Sequence, residues 1–157
     1  MNNNSHLLFD GSIWCNLDIA RRNMEQIFRQ MLRPRGLTVI EWHILRSLYE
    51  EDGQHASELA RTVGRAATSF TPNLDKLQDR GFIERRADKV DRRAVRIFLT
   101  EAGKEHREEV LESARQIDAA ISKIFPQDEF MSFQRVLTAL QSVAPDELAS
   151  RSNGRSS

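Results

Sequence analysis

The stretch that decides the fold is LDKLQDRGFIERRADKVDRRAVRIFLT, residues 74–100. Its hydrophobic rhythm changes once. Up to Gly81 the apolar residues Phe70, Leu74 and Leu77 recur at the spacing of one helix face, and Gly81 suits the left-handed position that closes a helix. Beyond Gly81 the period shortens to two, so Phe82–Arg86 and Val95–Leu99 read as strands and the polar run Ala87–Ala94 as the loop joining them. Upstream, Ala56, Leu59, Ala60 and Val63 form the apolar face of a short helix that ends at Gly64. Two short helices separated by a tight turn make a helix-turn-helix unit, here followed by a β-hairpin with a charged loop.

Longer amphipathic helices flank this unit. Trp14, Leu17, Met24, Ile27, Phe28, Met31 and Leu32 fall at three- and four-residue steps, and their helix stops ahead of Pro34, because the residue before a proline is pushed out of helical geometry. Thr38 and Glu41 make a T-x-x-E capping box for a second helix, which runs through Trp42, Leu45, Leu48 and Tyr49 to a turn at Asp52-Gly53. On the far side Thr100 caps a final long pair of helices. Val110, Leu111, Ala114, Ile117, Ile121 and Ile124 stripe the first as far as Pro126; Phe130, Phe133, Val136, Leu137, Leu140 and Val143 stripe the second. The central elements cover only part of this surface, so packing against a second copy is the economical solution. The expected fold is mostly α with a small β-hairpin. Residues 1–12 are expected as a flexible N-terminus, 13–144 as one domain and 145–157 as a disordered tail.

Composition narrows the function classes. With 157 residues, 39% of them hydrophobic, the chain suits one ordinary soluble domain. No apolar run reaches the roughly eighteen residues of a membrane span, and the first residues do not resemble a secretion signal. Cys15, the single cysteine, suits a reducing compartment, so the expected location is the cytoplasm, with no membrane partner. The formal net charge is zero but unevenly spread: Glu84–Arg96 holds six bases against three acids, whereas Thr100–Ala149 holds ten acids against five bases. The hairpin therefore attracts polyanions. His6, His43, His55 and His106 lack metal-ligand spacing, and there is no phosphate loop or nucleophile elbow; the reading is a non-enzyme without cofactor or metal.

The segments 37–45 (LTVIEWHIL), 57–60 (SELA), 74–83 (LDKLQDRGFI), 91–94 (DRRA) and 97–103 (IFLTEAG) together resemble the MarR family of transcriptional regulators in order and spacing, over roughly Trp14 to Val143. The resemblance implies a winged helix-turn-helix at about 38–100, flanked by dimerisation helices at about 13–33 and 101–144. It further implies a homodimer that binds a pseudo-palindromic double-stranded DNA operator, as a repressor released by a small ligand.

In such a unit the second helix enters the DNA major groove, roughly 12 Å wide, and its outward side chains meet phosphates and base edges. Here these are Ser69, Thr71, Asn73 and Lys76, with Arg65 just ahead. Pro72 lies among them. In a helix interior it removes a backbone donor, so either the helix starts near Thr68 or Ser69, leaving Pro72 in the first turn, or it kinks. By resemblance, Arg93 of the D-x-R motif enters the minor groove and Asp91 holds it through a charge-assisted hydrogen bond. Arg85, Arg86, Lys89 and Arg92 would then contact phosphates.

The same resemblance implies an aromatic anionic effector at the junction of the dimerisation helices with the winged domain. Trp14, Leu17, Arg21, Trp42 and His43 are the candidate lining by position, although both tryptophans equally fit a packed core. Cys15 resembles the thiol of peroxide-sensing members, which carry tyrosines nearby; this chain has only Tyr49. A thiol-based oxidant sensor is thus one alternative, and a winged-helix protein-interaction module without DNA affinity is another.

Overall fold

The computed structural model describes residues 7–64, 67–91 and 93–144, with residues 67–69 described by their backbone alone. The chain divides into two compact units, Met1–Arg115 and Gln116–Ser157. The expected tail at 145–157 lies outside the described residues.

The first unit opens with a 3-10 turn at Phe9–Gly11, within the segment expected to be flexible, tied back by Asn16, whose side chain bonds both the amide and the carbonyl of Leu8. Helix α1 spans Ile13–Leu32 and gives way to a 3-10 turn, Arg33–Arg35, that contains Pro34. Helix α2, Val39–Glu50, starts at the expected capping box: the Glu41 amide donates to the Thr38 hydroxyl at 3.2 Å and the Thr38 amide to the Glu41 carboxylate at 2.9 Å. Helices α3 (Ala56–Thr62) and α4 (Ala67–Asp79) form the helix-turn-helix. Strands β2 (Ile83–Ala87) and β3 (Val95–Leu99) pair antiparallel, with Arg85 opposite Ile97 and Arg86 opposite Arg96.

A further strand escapes sequence reading: β1, Gln54–His55, pairs with β3 on its free side and makes the sheet three-stranded in the order β1-β3-β2. Two residues are too few to display an alternating pattern. The turn before β1 needs glycine at 53, where φ is +80° and a Cβ would overlap the Phe98 ring. The core of this unit is built from Leu32, Ile44, Leu45, Leu59, Leu77 and Ile97, all fully buried.

The first of the final helices is shorter than its pattern suggests. Thr100 caps α5, Glu101–Glu105, but the chain turns at His106 before α6, Arg107–Ser122, begins. The cause is close packing against the hairpin: a Cβ at Gly103 would collide with the Phe82 carbonyl, and the His106 ring stands edge-on to Phe82 with centroids 4.5 Å apart. Two long-range hydrogen bonds fasten α2 to this region. Trp42 Nε1 donates to the Val110 carbonyl and the Tyr49 hydroxyl to the Gly103 carbonyl, each at 2.8 Å.

The second unit holds the end of α6 and helix α7, Gln127–Ser142. The Phe125 and Phe133 rings stack with centroids 6.3 Å apart. No residue of α7 is buried, and Met131, Phe133, Val136, Leu137 and Leu140 are all exposed. Among the described residues no helix is long and apolar enough to cross a membrane, and no group of three His, Cys, Asp or Glu is placed to hold a metal.

Candidate nucleic-acid interface

Helix α4 turns Phe70, Leu74 and Leu77 into the core and leaves Thr71, Pro72 and Lys76 exposed on the opposite face. Asn73 is half-buried, and its side-chain carbonyl accepts the Thr38 hydroxyl at 3.2 Å. Ser69 lies on the same helix, while Arg65 falls outside the described residues. Of the two expectations for Pro72, the one that starts the helix near Thr68 or Ser69 needs correcting. The helix starts at Ala67, so Pro72 is its sixth residue and stands beyond the first turn, where the Thr68 carbonyl loses its usual i+4 donor. The sequence signal for the start was weak because no capping residue stands immediately ahead of Ala67.

The hairpin supports the wing that projects beside this helix. Of its basic residues, Arg85 faces inward to the helix rather than outward. One guanidinium nitrogen donates to Asp75 at 2.6 Å and another to Gln78 at 2.9 Å, so Arg85, expected as a phosphate contact, is a strut between β2 and α4. Arg86 pairs with Glu84 and covers the Phe98 ring, its guanidinium carbon 4.5 Å from the ring centroid. Lys89 and Arg93 are exposed at the wing tip, and Arg92 lies outside the described residues. Asp91 differs from expectation in what it holds: its carboxylate accepts the backbone amide of Arg93 at 3.0 Å, which shapes the turn.

The organiser of the wing is Asp88, a residue the sequence offered only as one acid among many bases. It is 6% exposed. Its carboxylate accepts the amides of Val90 at 2.7 Å and Asp91 at 2.9 Å, pairs with Arg96, and lies 3.6 Å from His55 Nε2. The Asp91 amide, the Arg96 guanidinium and the Val90 amide hold this carboxyl well below the usual carboxylate range. Arg96 also donates to the Gly53 carbonyl at 2.9 Å, which fastens the wing root to the turn before β1. At the other end of α4, Arg80 donates to the Gly36 carbonyl at 2.7 Å and lies over the Phe82 ring.

The effector candidates are not gathered into one cavity within the chain. Trp42 is 7% exposed, edge-on to both Phe28 and His43, and belongs to the core; Trp14 is 76% exposed. Trp14 stands fourteen residues before Phe28 on α1, about 21 Å along the helix axis. Leu17 is exposed, and Arg21 is paired with Asp18 and Glu25. The groove that α1 and α2 do form, about 550 Å³, is lined instead by residues that include Arg29, Arg33, Leu37 and Ile40. Cys15 is half-buried in the first turn of α1, its amide donating to Ser12 Oγ at 3.4 Å.

A helix-turn-helix whose second helix presents a polar face, braced against a basic, rigidly built hairpin, defines a winged helix-turn-helix protein. Residues 37–95 match the family model described as "MarR family". The match takes in the helix-turn-helix and most of the hairpin, so this segment is similar to the MarR family. It is 32% identical over 77 residues to the HTH-type transcriptional regulator TtmR of Methylorubrum extorquens (strain PA1), a match covering 49% of this chain and 40% of that protein. Among solved structures it superposes on transcriptional regulator PA4135 with a TM-score of 0.76 and 25% identity, covering 85% of this chain and 98% of the other. It is also similar to NadR in complex with 4-hydroxyphenylacetate, with a TM-score of 0.69, 26% identity and coverage of 85% and 94%.

Proposed function

We propose that this chain is a sequence-specific DNA-binding regulator that acts as a homodimeric repressor on a pseudo-palindromic operator. The observation that carries the reading is the bracing of α4 to the wing by Arg85 through Asp75 and Gln78, which fixes the polar helix face and the exposed cations Lys89 and Arg93 in one frame. In that frame Thr71, Asn73 and Lys76 meet the major groove, with Ser69 near the start of the same helix and Arg65 as a further DNA contact. Arg93 enters the adjacent minor groove, where narrow A·T tracts concentrate negative potential. Arg86, Lys89 and Arg92 lie along the phosphates. Helices at 13–33 and 101–144 form the dimer, a role supported by the wholly unburied α7 with its exposed Phe133, Val136 and Leu140. Two recognition helices would then lie roughly 34–36 Å apart, one helical turn of DNA.

The effector is a small aromatic anion. NadR was crystallised with 4-hydroxyphenylacetate, and the α1–α2 groove here sets Arg33, and Arg29 paired with Glu25, beside the apolar Leu37 and Ile40. Such a ligand releases DNA only if it binds one dimer geometry better than the other. Among the described residues the oxidant-sensing alternative gains no supporting contact: Cys15 forms no disulfide, and Tyr49 donates its hydroxyl to Gly103.

The test is binding of the purified full-length chain to duplexes selected from a random library, over a salt series, with sedimentation to fix stoichiometry. Steeply salt-dependent binding of one dimer per palindrome is expected. Absence of any preferred duplex, or high-affinity binding by a stable monomer, refutes the reading.

A further inference from the structure

The wing tip carries an apolar side chain in an otherwise charged turn. Val90 is 97% exposed. Its loop is not free to fold back and cover it. The Val90 and Asp91 amides both donate to the buried Asp88 carboxylate, which Arg96 pins from below. The strand ends close the same turn: the Asp88 amide donates to the Ala94 carbonyl at 3.0 Å and the Ala94 amide to the Asp91 carbonyl at 2.9 Å. A turn fixed by a buried carboxylate and by both strand ends holds the isopropyl group outward. Lys89 precedes it and Arg93 follows three residues later, both exposed, so a cation lies within about 11 Å of it on either side, while the exposed Asp91 carboxylate next to it accepts the Arg93 amide. An apolar group between cations matches a surface whose walls are anionic and whose interior is lined by sugars. The DNA minor groove is such a surface.

We propose that Val90 is a specificity-determining residue that reads the floor of the minor groove by exclusion. A·T and T·A pairs present only acceptors there, whereas G·C adds the guanine N2 amino group in the centre of the groove. Valine offers that amino group no acceptor and, packed over it, shuts out the water that would serve instead, so the donor is left unsatisfied. Val90 therefore rejects G·C under the wing. The rejection is separate from the electrostatic preference of Arg93 for a narrow groove. The inference rests on the DNA-binding reading above.

The experiment uses the full-length chain on its best selected duplex, with the wing positions located by minor-groove protection. At those positions A·T is replaced by G·C or by inosine·C, which keeps the pairing but lacks the amino group. Wild type is expected to bind the inosine duplex about tenfold tighter than the G·C duplex. Val90→Thr has the same shape and adds a hydroxyl that accepts the amino proton, and it brings the ratio within about threefold. Arg93→Ala weakens both duplexes, and Val90→Thr still lowers the ratio in that background. Equal binding of the two duplexes by wild type, or an unchanged ratio in Val90→Thr, overturns the inference while leaving the DNA-binding reading intact. Failure to bind any duplex overturns both.

Discussion

The guanidinium of Arg85 on β2 reaches the carboxylate of Asp75 on α4 at 2.6 Å, joining the second helix of the helix-turn-helix to the hairpin. The pair is partly exposed, so its contribution to global stability is about 0–1 kcal/mol. Its value lies in alignment. Arg85→Ala is expected to leave the melting transition nearly unchanged while lowering operator affinity, with the salt slope held at the wild-type value because no phosphate contact is removed. A slope that falls by about one unit would instead assign Arg85 to the phosphate backbone.

Lys76 and Arg93 are expected to fail differently. Lys76 is exposed on α4, and Lys76→Ala should lower affinity for all sequences alike and flatten the salt slope by about one unit. Arg93→Ala should weaken the selected operator most where its wing positions are A·T-rich, with unfolding changed by less than about 0.5 kcal/mol. Uniform loss across operators in Arg93→Ala would argue against minor-groove entry.

Trp42 is a core residue whose indole N–H has one buried acceptor, the Val110 carbonyl. Trp42→Phe removes the donor and is expected to cost about 1–3 kcal/mol in denaturant unfolding. Effector binding in the α1–α2 groove should survive the change. If Trp42→Phe leaves stability intact but abolishes release by aromatic carboxylates, Trp42 belongs to the effector site.

Tyr49 is the only tyrosine, so its ionisation can be followed directly in absorbance. Burial pushes its phenol up to about 12; Arg107 opposes the shift and Glu109 adds to it. The folded chain thus retains a proton that the unfolded chain releases near pH 10. Stability from this group is complete below about pH 10 and is lost as pH rises toward 12. Tyr49→Phe should flatten the alkaline limb of the stability profile; a tyrosinate signal appearing near pH 10 in the native protein would contradict the burial.

The helices of the first unit were legible because their signals are local. The Thr38–Glu41 capping box, Pro34 after α1, and glycines at 64 and 81 each mark a boundary within a few residues of it. The change of period at Gly81 likewise placed both strands of the hairpin to within a residue or so. What was not legible depends on partners from other elements. Composition counts Arg85 as one more cation on a basic hairpin. Only the tertiary structure turns it toward Asp75 and Gln78, ten and seven residues upstream. Asp88 read as dilution of a positive loop, yet three donors from two segments converge on it. Strand β1 exists because β3 offers it an edge, a condition that two residues cannot announce. The effector lining was chosen by position along two helices, and the length of α1 sets Trp14 apart from Trp42.

That separation has an optical consequence. The two tryptophans sit in opposite environments, one nearly fully solvated near the start of α1 and one sealed beneath α6. An aqueous collisional quencher should extinguish the Trp14 emission and leave a blue-shifted residual from Trp42. The native chain thus carries two distinguishable reporters without any label. Shielding of the first on self-association would report on the N-terminal end of α1, while a red shift of the second would mark the opening of the winged domain's core.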